Sequence, residues 1–283
     1  MTDPNPADGK AMMTTNSTPS TPSGARSSWV AAELALTPEG GLDGPVWVNQ
    51  HGGRITEVHW GDAPEDAPDP ACGVLTPGLI DLQCNGGLGI TLGETDPSAW
   101  TPWRTWLLRG GVTSVAPTLT TGPLDTLLSQ IEATYRFAAT HPGSAEAGAR
   151  LLGVHLEGPF LSRARLGAHD GRWRRDPTPT HVDALAGLPP GALSICTLAP
   201  ELPGAAALIE ALCSAGVTVA IGHSDATAEQ THRAADRGAS LVTHLGNAQR
   251  GIHHREPGLV GAALVDDRLT LGLVVGIDKP ATL

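Results

Sequence analysis

The 283-residue chain is long enough for one large α/β barrel or two modest domains, and its 40% hydrophobic content suffices for a sizeable core. A net charge of −11 excludes non-specific nucleic-acid binding, which needs a positive surface, so an anionic ligand would require a local cluster of Arg or His. No apolar run approaches membrane-spanning length, and the four cysteines (Cys72, Cys84, Cys196, Cys213) are too few and too widely spaced for a disulfide scaffold or a CxxC metal site.

Residues 1–28 are rich in Ser, Thr, Pro, Asn and Gly, with little to bury, which predicts a disordered tail without a signal-peptide core. Together with thiols read as free, this points to a reducing, cytoplasmic setting. Over 29–72, short β-like stretches (WVAAELAL, VWVNQ, RITEVHW) broken by Gly and Pro predict a small antiparallel sheet, part of a small β domain. The rhythm changes at Leu75, so that 73–283 read as βα units on a parallel sheet. The spacing predicts strands near 75–82, 112–118, 151–157, 193–198, 217–222, 240–244 and 270–275, seven in all, where a closed barrel of this type has eight. Between them, SAWTPWRTWLLRG places Trp100, Trp103, Trp106 and Leu107 on one helical face. PLDTLLSQIEATYRFAAT does the same for Leu124, Leu127, Leu128, Ile131 and Tyr135.

Three of the predicted strands end in a residue that can bind a metal. Glu157 closes LLGVHLE before a Gly-Pro turn, His223 follows VTVAIG, and His244 follows ASLVT. In a barrel of parallel strands all carboxyl ends face one side, so these three can converge on one ion. One carboxylate and two imidazoles leave a coordination position open for water, the arrangement that supports hydrolysis. Ser224 and Asp225 suit the cap of a helix starting near Ala226. His155 shares a strand face with Glu157 and reads as a packed or supporting histidine rather than a ligand.

The ordered set LTPGLIDLQCNG, GVTSVAPTLTT, HLEGPF, GAHD, TLAPE, GHSDAT, THLGNA and HHREPGLVGAAL resembles the N-acetylglucosamine-6-phosphate deacetylases of the amidohydrolase superfamily, over roughly 29–273. The resemblance implies a TIM-like (β/α)8 barrel of the metal-dependent hydrolase type with a small N-terminal β domain. It also implies hydrolysis of N-acetylglucosamine 6-phosphate to glucosamine 6-phosphate and acetate. One divalent metal ion, Zn2+ or Fe2+, is expected on Glu157, His223 and His244. Gln83 and Asn85 stand where many amidohydrolases carry an H-x-H pair, and amides ligate transition metals poorly, so one ion is expected rather than two. Substrate contacts are implied at Ala168, His169, Asn247, Ala248 and Arg255, the last a rigid fork for phosphate that in the family serves a neighbouring subunit, hence a homodimer. Without the family, Arg255 reads as a surface ion pair with Glu256. The family's Asp-Gly-X-His stretch has no counterpart around Gly276, Asp278 and Lys279, and its catalytic Asp would lie beyond Leu283, so the chain reads as C-terminally truncated. Two alternatives follow: a non-catalytic protein that binds phosphosugar and metal, or another amidohydrolase.

Overall fold

The computed structural model describes residues 28–93 and 95–274. All but the last residue of the predicted tail, the end of the seventh predicted strand, and Gly276, Asp278 and Lys279 lie outside the described residues. The chain divides into two units after Pro77.

In the first unit, β1 (Ser28–Leu36), β2 (Leu42–Asp43), β3 (Val46–His51) and β4 (Arg54–Trp60) form an antiparallel sheet in the order β2-β1-β3-β4. A fifth strand, β5 (Cys72–Leu75), pairs with β1 in parallel, so Leu75 ends this sheet instead of opening the barrel. Ala32 and Ala35 of β1 and Val46 of β3 form a small apolar cluster.

The second unit is a TIM-like curled parallel sheet. Its first strand is β6 (Leu79–Cys84), followed by the short β7 (Gly86–Gly87) and β8 (Ile90–Thr91) ribbon and by α1 (Thr101–Arg109). Then come β9 (Val112–Thr120), α2 (Leu124–Thr140), β10 (Arg150–Leu151) and β11 (Val154–Glu157). The series continues with α3 (Pro179–Ala186), β12 (Leu193–Leu198), α4 (Ala205–Ser214), β13 (Thr218–Ile221), α5 (Ala228–Asp236), β14 (Leu241–Val242), α6 (Gly258–Ala263) and β15 (Thr270–Leu271). The seven strands pair in parallel as β6-β9-β11-β12-β13-β14-β15, with β10 a short stub beside β9.

Strand alternation divides the core in two. Val115, Leu156, Cys196, Val219 and Val242 point outward and join the large cluster packed under the helices. Ala116, Ile195, Ala220 and Leu241 point inward and form a separate cluster in the lumen. One step nearer the carboxyl ends the inward layer becomes polar, with Thr118, His155, Thr197 and Thr243 all buried. His155 is fixed there between the Leu82 carbonyl at 2.8 Å and Thr197 Oγ1 at 2.7 Å, which ties three strands together and leaves no nitrogen for a metal. Gly222 has to be glycine in this layer, since a Cβ would lie 2.1 Å from Thr243 Oγ1.

Two helical readings need correction. Trp103 and Leu107 are buried, but Trp106 is 48% exposed, because it sits at the rim of the apolar stripe and covers Gly87 of the β7–β8 ribbon. In α2, Leu127 and Ile131 are buried while Tyr135 lies at the margin and Phe137 takes the inner position. Among the described residues β6 pairs only with β9 and β15 only with β14, and a cleft of about 590 Å3 lies between their free edges. Leu79 and Ile80 of β6 are exposed, as are Leu273 and Val274 just past β15, and exposed apolar residues beside an unpaired strand are an association hazard. No described helix is long and apolar enough to cross a membrane.

Candidate metal centre

Glu157, His223 and His244 stand at or just past the carboxyl ends of β11, β13 and β14, and one ligand atom of each lies within 4.8 Å of the others. They come together because parallel neighbours in register end at the same level of the barrel. The chain leaves both histidine positions through left-handed backbone, φ +47° at His223 and +31° at His244, and Ala248 follows at +49°. Such conformations cost about 1–3 kcal/mol each in residues with a Cβ, so the surrounding packing holds these side chains where an unconstrained chain would not.

A single oxygen, Glu157 Oε1, is the focus. Gln83 Nε2 donates to it at 2.7 Å, and the Nε2 atoms of His244 and His223 lie 3.0 and 3.2 Å away. His223 Nδ1–H donates to the Arg165 carbonyl at 3.0 Å, so in the neutral ring Nε2 carries a lone pair aimed at the carboxylate. Lone pairs facing each other at this distance repel unless a cation or proton lies between. A proton on His223 Nε2 would make that ring a cation 4.9 Å from the His244 ring, whereas one divalent ion would engage both nitrogens and the carboxylate at once. The donor set therefore suits a divalent metal ion.

Burial tends to raise the Glu157 pKa, but the neighbouring His223, His244 and His169 rings outweigh it and hold the carboxyl well below the usual range. Burial pulls His244 down, and the neighbouring Glu157 carboxylate more than reverses this, so its pKa is raised. His169 sits with Nε2 at 3.7 Å from Glu157 Oε2, and its Nδ1 accepts from the Thr121 backbone N–H at 3.3 Å and the Thr121 hydroxyl at 2.8 Å. Burial first, then the charge of His223, lowers the His169 pKa to about 4. At neutral pH His169 is thus a neutral ring that presents an Nε2–H donor to the site.

The sign of the pH effect follows. An unfolded His169 takes up a proton near pH 6.5, which the folded site refuses until about pH 4, so falling pH over this window favours unfolding. Glu157, whose pKa is depressed, contributes stability above its unfolded pKa that is lost as pH falls, in the same direction. Thermal unfolding between pH 7 and 4 should therefore show His169→Gln losing less stability than the parent; equal slopes would assign the acid sensitivity elsewhere.

A bracket behind His223 escaped the sequence reading. Asp225 Oδ1 accepts from Arg165 Nη2 at 2.8 Å and Nε at 2.9 Å, and its Oδ2 accepts from Arg250 at 2.6 Å. Glu201 of TLAPE accepts from the Ser224 hydroxyl and the Asp225 N–H, both at 2.7 Å. Ser224 and Asp225 thus brace loops instead of capping a helix; α5 begins at Ala228, capped by Thr227 in a reciprocal box with Gln230. Gly167, at φ +59°, passes so close that a Cβ would stand 3.3 Å from His223 Cε1.

Of the substrate-contact candidates, His169 adjoins Glu157, and Ala248 follows His244 in the same loop. Ala168 and Asn247 are exposed beside them. Arg255 is exposed on the 251–256 loop and forms no ion pair among the described residues. Glu256 does not pair with it either, because its carboxylate accepts from the N–H groups of Ala228 and Gly258.

No family model matches the chain. It is 40% identical over 213 residues to the N-acetylglucosamine-6-phosphate deacetylase of Bos taurus, covering 71% of this chain and 49% of the relative. It is 34% identical over 246 residues to the N-acetylgalactosamine-6-phosphate deacetylase of Escherichia coli O157:H7, covering 86% of this chain and 63% of the relative. The crystal structure of N-acetyl-D-glucosamine-6-phosphate deacetylase from Mycobacterium smegmatis superposes with a TM-score of 0.78 at 33% identity, over 87% of this chain and 63% of that one. The chain thus spans about half to just under two thirds of the length of these relatives.

Proposed function

We propose that this chain, a homologue of the N-acetylglucosamine-6-phosphate deacetylases of the amidohydrolase superfamily, holds one divalent ion on Glu157, His223 and His244 and serves the hydrolysis of N-acetylglucosamine 6-phosphate. The observation that carries this reading is the convergence of both imidazole Nε2 atoms on Glu157 Oε1. Zn2+ and Fe2+ both suit an O/N/N donor set. When bound, the ion would polarise the acetamide carbonyl and make water a better nucleophile near neutral pH.

The chain's own groups do the rest. The Arg165 carbonyl fixes the His223 tautomer, Gln83 orients the Glu157 carboxylate, and neutral His169 donates to a substrate oxygen. In the net reaction water oxygen joins the acetyl carbon, the C–N bond breaks, and the amine keeps a proton as acetate leaves. We place the reaction in the cytoplasm and in a homodimer, with free thiols at all four cysteines and the unpaired Arg255 as support.

Acetate release from N-acetylglucosamine 6-phosphate, with the galacto epimer as comparison, tests the reading; release from neither would remove it. Arg255→Lys keeps the charge but loses the planar fork, so KM for the phosphorylated sugar should rise about tenfold while a non-phosphorylated analogue is unaffected. Equal effects on both would give Arg255 another role.

A further inference from the structure

Beside the metal centre lies a second cleft, of about 330 Å3, at the carboxyl ends of β6 and β9. It is separate from the gap between the free strand edges, sharing only Asn85 with it. Its size falls at the lower end for small-molecule sites. Its lining is unusual in having five threonines, Thr91, Thr118, Thr120, Thr121 and Thr126.

The hydroxyls divide by partner. Thr118 and Thr121 are spent within the protein, on the Ala116 carbonyl and on His169 and Glu157 respectively. Among the described residues the hydroxyls of Thr91, Thr120 and Thr126 and the carboxamide of Asn85 have no protein partner, so donors and acceptors face the cleft unused. Opposite them stands Trp173, half-buried, with the Arg175 guanidinium 6.0 Å from its ring. The Trp173 loop is held in place: the Arg175 N–H donates to the Pro159 carbonyl at 3.0 Å and the Trp173 N–H to Asp170 at 3.1 Å.

An indole lining the same cleft as a set of unpartnered hydroxyls matches one ligand chemistry, a ring with apolar C–H faces and hydroxyls around its edge. No Lys, Arg or His side chain lines the cleft to select a phosphate, and its one charged residue, Asp170, is engaged by Arg172. We propose that this cleft is a neutral sugar subsite, through which the centre accepts N-acetylated sugar phosphates extended by a further pyranose. The proposal rests on the deacetylase reading for the adjoining centre, to which Thr121 connects it through His169 and the Glu157 carbonyl.

The test is a calorimetric titration of the chelator-treated protein with neutral N,N'-diacetylchitobiose and, separately, with N-acetylglucosamine. No hydrolysis can occur in this sample, so the result stands apart from whether the protein deacetylates anything. The disaccharide is expected to bind at least about tenfold more tightly than the monosaccharide, and Trp173→Ala should erase the difference. Trp173→Phe and Thr126→Ser, which keep the ring and the hydroxyl, should retain it. Equal affinities for the two sugars in the parent protein, or a disaccharide preference that survives Trp173→Ala, would overturn the assignment.

Discussion

Replacing His223 or His244 by Ala will remove the metal and the activity together. On the proposed reading each ring supplies one of three protein ligands, and the two donors left would not hold the ion in an open-sided site. Changes in groups that merely support metal ligands cost about 10- to 100-fold in metal affinity or activity, so loss of a ligand is expected to exceed about 100-fold in both. The folded protein should survive the change. Each variant also relaxes the crowding around Glu157 Oε1. Metal content and acetate release measured on one sample check this; full metal occupancy in both single variants would show that these histidines are not ligands.

The second large effect is expected at Asp225, which touches neither metal nor substrate and acts as a positioning residue. It joins Arg165 to Arg250, and the Arg165 carbonyl in turn fixes the His223 ring. The arginines hold its carboxyl below the usual range, Arg250 first and then, against the opposing effect of burial, Arg165, so it stays charged through neutral pH. Asp225→Ala should free the Arg165 loop and weaken metal binding about 10- to 100-fold. Its ion pairs are partly exposed, so the melting temperature should change little. Asp225→Asn, which keeps one acceptor, should fall between the two. An affinity loss matched by an equal loss of stability in both variants would reduce Asp225 to an ordinary structural contact.

How much of this was legible in the sequence depends on the range of the interaction. The barrel strands announce themselves as short apolar runs at regular spacing, and the three metal candidates follow from where those runs stop. Local rules failed where a longer-range partner competed. Ser224 and Asp225 have the chemistry of a helix cap, yet Glu201, Arg165 and Arg250 claim them from 23, 60 and 25 residues away, and the cap passes to Thr227. Gln83 shows in the sequence only as a poor metal ligand, because nothing local reveals that its amide reaches Glu157 across 74 residues. Leu75 continues an apolar run, but Pro77 and Gly78 break it, so the run is shared between β5 and β6. Thr121 could have been suspected from the threonine-rich GVTSVAPTLTT end of β9, where a strand carboxyl end meets the site.

The most direct test is crystallographic: anomalous scattering at the absorption edge of zinc or iron from crystals grown with that ion. One strong peak per chain is expected, about 2.0–2.2 Å from a Glu157 carboxylate oxygen and from His223 Nε2 and His244 Nε2. A peak on other residues, or an empty centre in protein whose solution metal content is one ion per chain, would contradict it.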